Sequence, residues 1–143
     1  MSTSTQILGL GMLIVAFAGS ASAQSVLAEL KTEHNPSKRS EMALTFADQL
    51  FDNAKDSYGK GEITKGDADL ESMTKVLNAC IESLAAANKS KSYKRAEMKV
   101  AHLQRRLSDL VNDMSIQERG WAEYTSRKLD EIHDKLLNGV MRR

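Results

Sequence analysis

The sequence predicts an all-α protein: an antiparallel four-helix bundle, up-down-up-down, with a short N-terminal helix after a signal peptide. Three observations carry that prediction. Apolar residues recur at three- and four-residue spacing through four stretches of similar length. Short polar or glycine-containing segments join them, and no stretch shows the two-residue alternation of a strand. Each stretch holds about 24 residues, roughly 36 Å of helix, and equal lengths with short joints favour antiparallel neighbours.

Residues 1–23 are expected to be the signal peptide. No Asp, Glu, Lys or Arg occurs from Met1 to Ala28, and Ile7 to Ala18 is an apolar run too short to span a bilayer comfortably. Ala21-Ser22-Ala23 is a small-x-small cleavage pattern that puts the mature start at Gln24. The segment before the apolar run has no Lys or Arg, which leaves the amino terminus as its only positive charge. No Cys follows the cleavage site, so a lipid-anchored residue there is excluded. The expected location is therefore periplasmic or extracellular, with no transmembrane helix in the mature chain. All 39 charged residues then fall in 120 mature residues, enough chain to bury a core without staples.

Residues 24–36 are an N-terminal segment in which Val26, Leu27 and Leu30 share one face of a short helix, and 37–143 are the bundle domain. The first long helix opens at Asn35-Pro36, a capping residue followed by proline at the first helical position. Ala43, Ala47, Leu50, Ala54 and Tyr58 form its stripe, with Leu44 and Phe51 widening it, and Gly59 and Gly61 stop it. The second helix runs from about Glu62 to Ala87, with Ile63, Leu70, Leu77 and Leu84 at heptad spacing and Met73, Cys80 and Ile81 between them. Gly66 weakens its first turns by about 1 kcal/mol relative to Ala.

Asn88 to Lys91 reads as a polar turn. The third long helix has the cleanest seam: Tyr93, Ala96, Val100, Leu103, Leu107, Leu110 and Met114. Ser115 and Glu118 make an S-x-x-E capping box that should start the fourth helix. Its stripe is Trp121, Tyr124, Lys128 or Leu129, Ile132, Leu136 and Val140, with Asn138-Gly139 as the C-cap.

The turn from Tyr58 through Gly59, Lys60, Gly61, Glu62 and Ile63 to Gly66 resembles the joint of a tetratricopeptide-repeat helix pair. It covers one hairpin, and no period near that of the repeat recurs. "YKRAEMK" (Tyr93 to Lys99), "RRL" (Arg105 to Leu107), "MS" (Met114-Ser115) and "EIHDKLL" (Glu131 to Leu137) resemble small exported bacterial all-helical proteins of unknown function. That resemblance implies fold and export, and no activity.

A catalytic set is not found in the sequence. There is no Gly-x-Ser-x-Gly elbow, phosphate-binding Gly loop or H-E-x-x-H. One Cys excludes an intrachain disulfide and an all-Cys metal cluster. Cys80 on an apolar face reads as a small hydrophobe, with a cross-chain disulfide as the sharper alternative. Asp130-x-x-His133 is half of a di-iron motif without a second copy, and Met42 or Met73 with His133 could be drawn as a haem pair. The blander reading of His133 is a border imidazole paired with a carboxylate. The prediction is no enzyme and no cofactor.

The chain is neutral overall, with 20 Lys+Arg against 19 Asp+Glu, but the charge is unevenly spread. Lys89 to Arg106 carries a net +6, and Glu41 to Met73 a net −5. Lys91, Lys94, Arg95, Lys99, His102 and Arg106 are the candidate binding residues, most of them on one face of the third long helix. They face either acidic flanks of the first two helices or a partner: an anionic envelope component or an acidic protein surface. Nucleic acid is not expected, given export and the lack of interleaved aromatics. The expected function is a non-enzymatic macromolecular binding or scaffold module; the alternatives are a metal- or haem-binding bundle and a homo-oligomer.

Overall fold

The computed structural model describes residues 23–142, so the expected signal peptide lies outside the described residues except at its last position. The molecule is an all-α helical bundle: α1 (Ala23–Lys31), α2 (Pro36–Gly59), α3 (Ile63–Ala87), α4 (Ser90–Asp113) and α5 (Gly120–Met141), with no strand among the described residues. None of these helices is long and apolar enough to cross a membrane.

The opening of α2 follows the sequence closely. Asn35 Oδ1 accepts from the Ser37 and Lys38 amides at 3.0 and 3.4 Å, and Pro36 needs no partner for its nitrogen. Gly61, at φ 78°, reverses the chain into α3. The Tyr58 ring then lies on Gly66, where a Cβ would sit 2.6 Å from the ring. The glycine that weakens α3 as a helix is the residue that admits this contact. The Tyr58 hydroxyl donates to Asp67 Oδ1 at 2.5 Å, and burial pushes its pKa well above the usual phenol range.

Between α3 and α4 the turn is shorter than the expected 88–91. Asn88 takes the left-handed conformation (φ 54°, ψ 42°) and donates its amide to Leu84 O at 2.8 Å, Lys89 is the next N-cap, and α4 starts at Ser90. The α5 boundaries also differ from expectation. Ser115 and Glu118 share only a turn bond, Glu118 N to Ser115 O at 3.1 Å, and the helix begins at Gly120. Gly139 is not a C-cap: α5 continues to Met141, and Gly139 lies under Tyr93, whose ring a Cβ would approach to 2.3 Å.

Helices α2 and α3 pack as one hairpin and α4 and α5 as a second; the hairpins meet through α3 with α5 and α2 with α4. Helix α1 covers parts of α2 and α3. The shared core contains Phe51, Leu70, Met73, Leu77, Leu103, Leu107, Leu129 and Leu136, all essentially buried. The α4 seam from Tyr93 to Leu110 is buried as the spacing predicts. On α5 the buried stripe is Ala122, Thr125, Leu129, Ile132 and Leu136; Leu129, Ile132 and Leu136 are as expected, and the first two lie one position beyond the expected Trp121 and Tyr124. Ala122 lets the backbone approach its neighbours, and Thr125 Oγ1 donates to Trp121 O at 2.8 Å, so this polar seam residue is satisfied within its own helix.

Candidate functional site

Four of the six expected binding residues are held by carboxylates. Arg95 pairs with Glu41, Lys99 with Asp48 at 2.5 Å and Arg106 with Asp52 at 2.6 Å, all across to α2. Lys94 pairs with Glu97 on α4 itself at 3.4 Å. Arg106 also lies over the Phe51 ring, 4.5 Å from its centroid. Lys91 and His102 are exposed. Of the two readings, acidic flanks of the first two helices or an outside partner, these contacts supply the acidic flank, on α2, for three of the six residues. The basic run of α4 and the acidic run of α2 largely satisfy each other within one molecule. Pairs 41/95, 48/99 and 52/106 advance together, so α2 and α4 run in the same direction along this edge.

Asp130 and His133 each have a partner on α4. His133 Nε2 lies 2.9 Å from Glu97 Oε2, so its carboxylate partner is across on α4, and Asp130 instead accepts from Gln104 Nε2 at 2.8 Å. That hydrogen bond from His133 lowers the Glu97 pKa, against the opposing effect of burial and with further help from Lys94. Met73 is fully buried in the core. Among the described residues, no group of three or more His, Cys, Asp or Glu could hold a metal ion. Cys80 is 1% exposed, and burial pushes its thiol up to about 12, so it presents no sulfur for a cross-chain disulfide.

The opposite edge is different. Trp121 and Tyr124 remain 37% and 40% exposed, with ring centroids 5.1 Å apart. Lys128 Nζ and the Arg127 guanidinium lie 5.5 and 6.0 Å from the Tyr124 ring centroid. These aromatics open a groove of about 280 Å³ between α3 and α5. Trp121, Tyr124, Lys128, Glu131 and Lys135 form one wall at three- and four-residue spacing, and Glu71, Thr74, Lys75 and Asn78 the other. A larger cavity of about 540 Å³ lies where α1 meets α2 and α3, lined by Leu27, Leu30, Arg39, Ala79 and Ser83 among others. Lys75 and Asn78 line both, so the two depressions meet across α3.

Spacing alone puts Trp121 and Tyr124 in the core because an apolar stripe can be drawn on either of two adjacent faces of α5. The signal against that assignment was Lys128, which interrupts the aromatic line at its third step. Ala122-Thr125-Leu129-Ile132-Leu136 carries no charge. No protein-family model, curated protein or solved structure matches this chain.

Proposed function

We propose that the protein is an exported, non-enzymatic binding module. In this reading its four long helices run up-down-up-down as two antiparallel hairpins set side by side, and they present the α3–α5 groove to a macromolecule outside the cytoplasm. The observation that carries the reading is the exposed Trp121–Tyr124 pair. Large aromatics beside cations are the residue types that dominate contact energy at interfaces, and the core seam passes through their neighbours instead. Export is supported by the uncharged leader with its Ala-Ser-Ala pattern. The α4 face is a weaker contact surface, because four of its six candidate residues already have partners.

In-cell crosslinking and affinity capture tests this assignment. The unmodified protein is compared with a Trp121→Ala/Tyr124→Ala variant and a Lys94→Glu/Arg95→Glu/Lys99→Glu variant. Loss of a distinct partner in the aromatic variant alone is expected. Loss in the α4 variant alone moves the contact back to the basic edge, and recovery of only the protein itself replaces this reading with a homo-oligomer.

A further inference from the structure

We infer that the α3–α5 groove binds a saccharide chain; the inference rests on the groove being the contact surface and adds the ligand class. The first argument is the balance of donors and acceptors. Lys75 is paired with Glu71 at 3.2 Å and Lys128 with Glu131 at 3.4 Å, Asn78 adds a neutral group that both donates and accepts, and Thr74, whose hydroxyl donates to Glu71 O at 2.8 Å, adds an acceptor. A polyanion entering here meets two of the three lining ammonium groups, Lys75 and Lys128, already shared with carboxylates, with Lys135 as the third, and it meets those carboxylates as well. A hydroxyl donates and accepts at once, so a hydroxyl-rich chain can use both members of each pair.

The second argument is the aromatic pair. A pyranose ring has a face of C–H groups that packs on an electron-rich aromatic face while its equatorial hydroxyls reach sideways. Trp121 and Tyr124 supply two such rings next to the polar wall. A partner helix would instead need a continuous apolar row, and among the described residues Ile132 is the only aliphatic one lining this groove.

The third argument is length. From Trp121 to Lys135 the α5 wall extends roughly 21 Å at the helical rise. The groove then meets the cavity beside α1 at Lys75 and Asn78, where Arg39 and Ser83 are already joined by a 2.8 Å bond from Nε to Oγ. Such a trough holds several sugar rings in a row, with the aromatic pair at one end.

The chain's single tryptophan makes the test direct, because its emission reports from the groove itself. The purified protein is titrated with hexamers of N-acetylglucosamine, glucose and mannose, with the matching monosaccharides, with dextran sulfate and with polyglutamate; a glycan array widens the saccharide set. A hexamer is expected to change the Trp121 emission and to bind at least about tenfold more tightly than its monosaccharide. By calorimetry, Tyr124→Ala should weaken that binding about tenfold, the scale of one anchoring aromatic, by removing the ring that holds Trp121, Lys128 and Arg127 at the mouth of the groove. Asn78→Ala should weaken it about threefold, the scale of one hydrogen bond, and Met98→Ala, at an exposed residue outside the groove, should leave it unchanged. Circular dichroism of each variant separates lost binding from lost folding.

A response to dextran sulfate or polyglutamate, with none to any saccharide in solution or on the array, overturns the ligand class. Equal affinity for hexamer and monosaccharide overturns the extended trough. If every saccharide is silent but the aromatic variant still loses its crosslinked partner, the saccharide assignment falls and the binding module stands. If both fail, both readings fall.

Discussion

The two hairpins meet along two edges made of the same kind of helix and closed by different chemistry. Along α2–α4 the contact is a row of charge pairs, Glu41–Arg95, Asp48–Lys99 and Asp52–Arg106, with the last guanidinium also over Phe51. Along α3–α5 the charges pair within each helix, Glu71 with Lys75 and Lys128 with Glu131, and a groove remains between the walls. Charge that pairs between helices closes an edge; charge that pairs along a helix leaves the edge open. A dense basic face in a sequence therefore points first to an acidic neighbour in the same chain, and aromatics left outside the packed stripe are the better pointer to a surface.

Both edges depend on the same core, and the largest effects should come from breaking it. Leu129→Ala or Leu103→Ala removes a fully buried side chain and should cost about 2–5 kcal/mol in urea unfolding, a loss that abolishes the distinction between the edges. A cost below about 1 kcal/mol would place the α5 seam elsewhere. Next is Gly139→Ala. Helix propensity favours it by about 1 kcal/mol, yet the new Cβ must displace the Tyr93 ring; the net expectation is a destabilisation of about 1–2 kcal/mol. A stabilised variant would show instead that Tyr93 moves aside freely.

The closed edge comes third. A double-mutant cycle on Asp48→Ala and Lys99→Ala should give a coupling of about 1 kcal/mol or less, shrinking with added salt, because both groups remain partly solvated. Coupling that ignores salt would contradict an ion-paired edge. On the open edge, Trp121→Ala should change stability by only about 0.5 kcal/mol while abolishing partner capture. A loss of several kcal/mol there would return Trp121 to the core and remove the case for the groove.

Most of the fold was legible in the residues, and its failures have physical causes. The α4 seam repeats without a charged interruption from Tyr93 to Leu110, so one face was unambiguous. Asn35-Pro36 states its role in local chemistry alone. The start of α5 was misjudged because a capping box is a local pattern, and residues 115–118 make a turn ahead of Gly120 instead of a first helical turn. Gly139 looked like a helix end because its actual partner, Tyr93, is far away in sequence. The candidate site was less legible than the fold. The six candidate residues on one helix were visible, but the register that sets three of them against Glu41, Asp48 and Asp52 is a property of how two hairpins dock. Thr125 hid the first turns of the α5 stripe, because a buried hydroxyl satisfied by its own helix is indistinguishable in sequence from an exposed one.

The smallest effect is expected inside the second hairpin, where Glu97 joins α4 to His133 of α5, and it distinguishes a pair held within a hairpin from those that close an edge. Hydrogen bonding from His133, aided by Lys94, lowers the Glu97 pKa in the folded protein, while burial pushes the other way. The unfolded chain therefore takes up this proton at a higher pH than the folded one. The stabilisation is fully present above the ordinary glutamate pKa, about 4.3, and is lost as pH falls through the lowered folded value. His133→Gln keeps a polar side chain but removes the imidazole. It should return the Glu97 titration, followed by carboxyl-carbon NMR, toward the ordinary value, and it should move acid unfolding to slightly higher pH. Lys99→Ala, on the closed edge, should leave the Glu97 titration unchanged. If the two variants shift Glu97 equally, the charges of α4 act as one continuous field and the distinction between the edges and the hairpin interior does not hold.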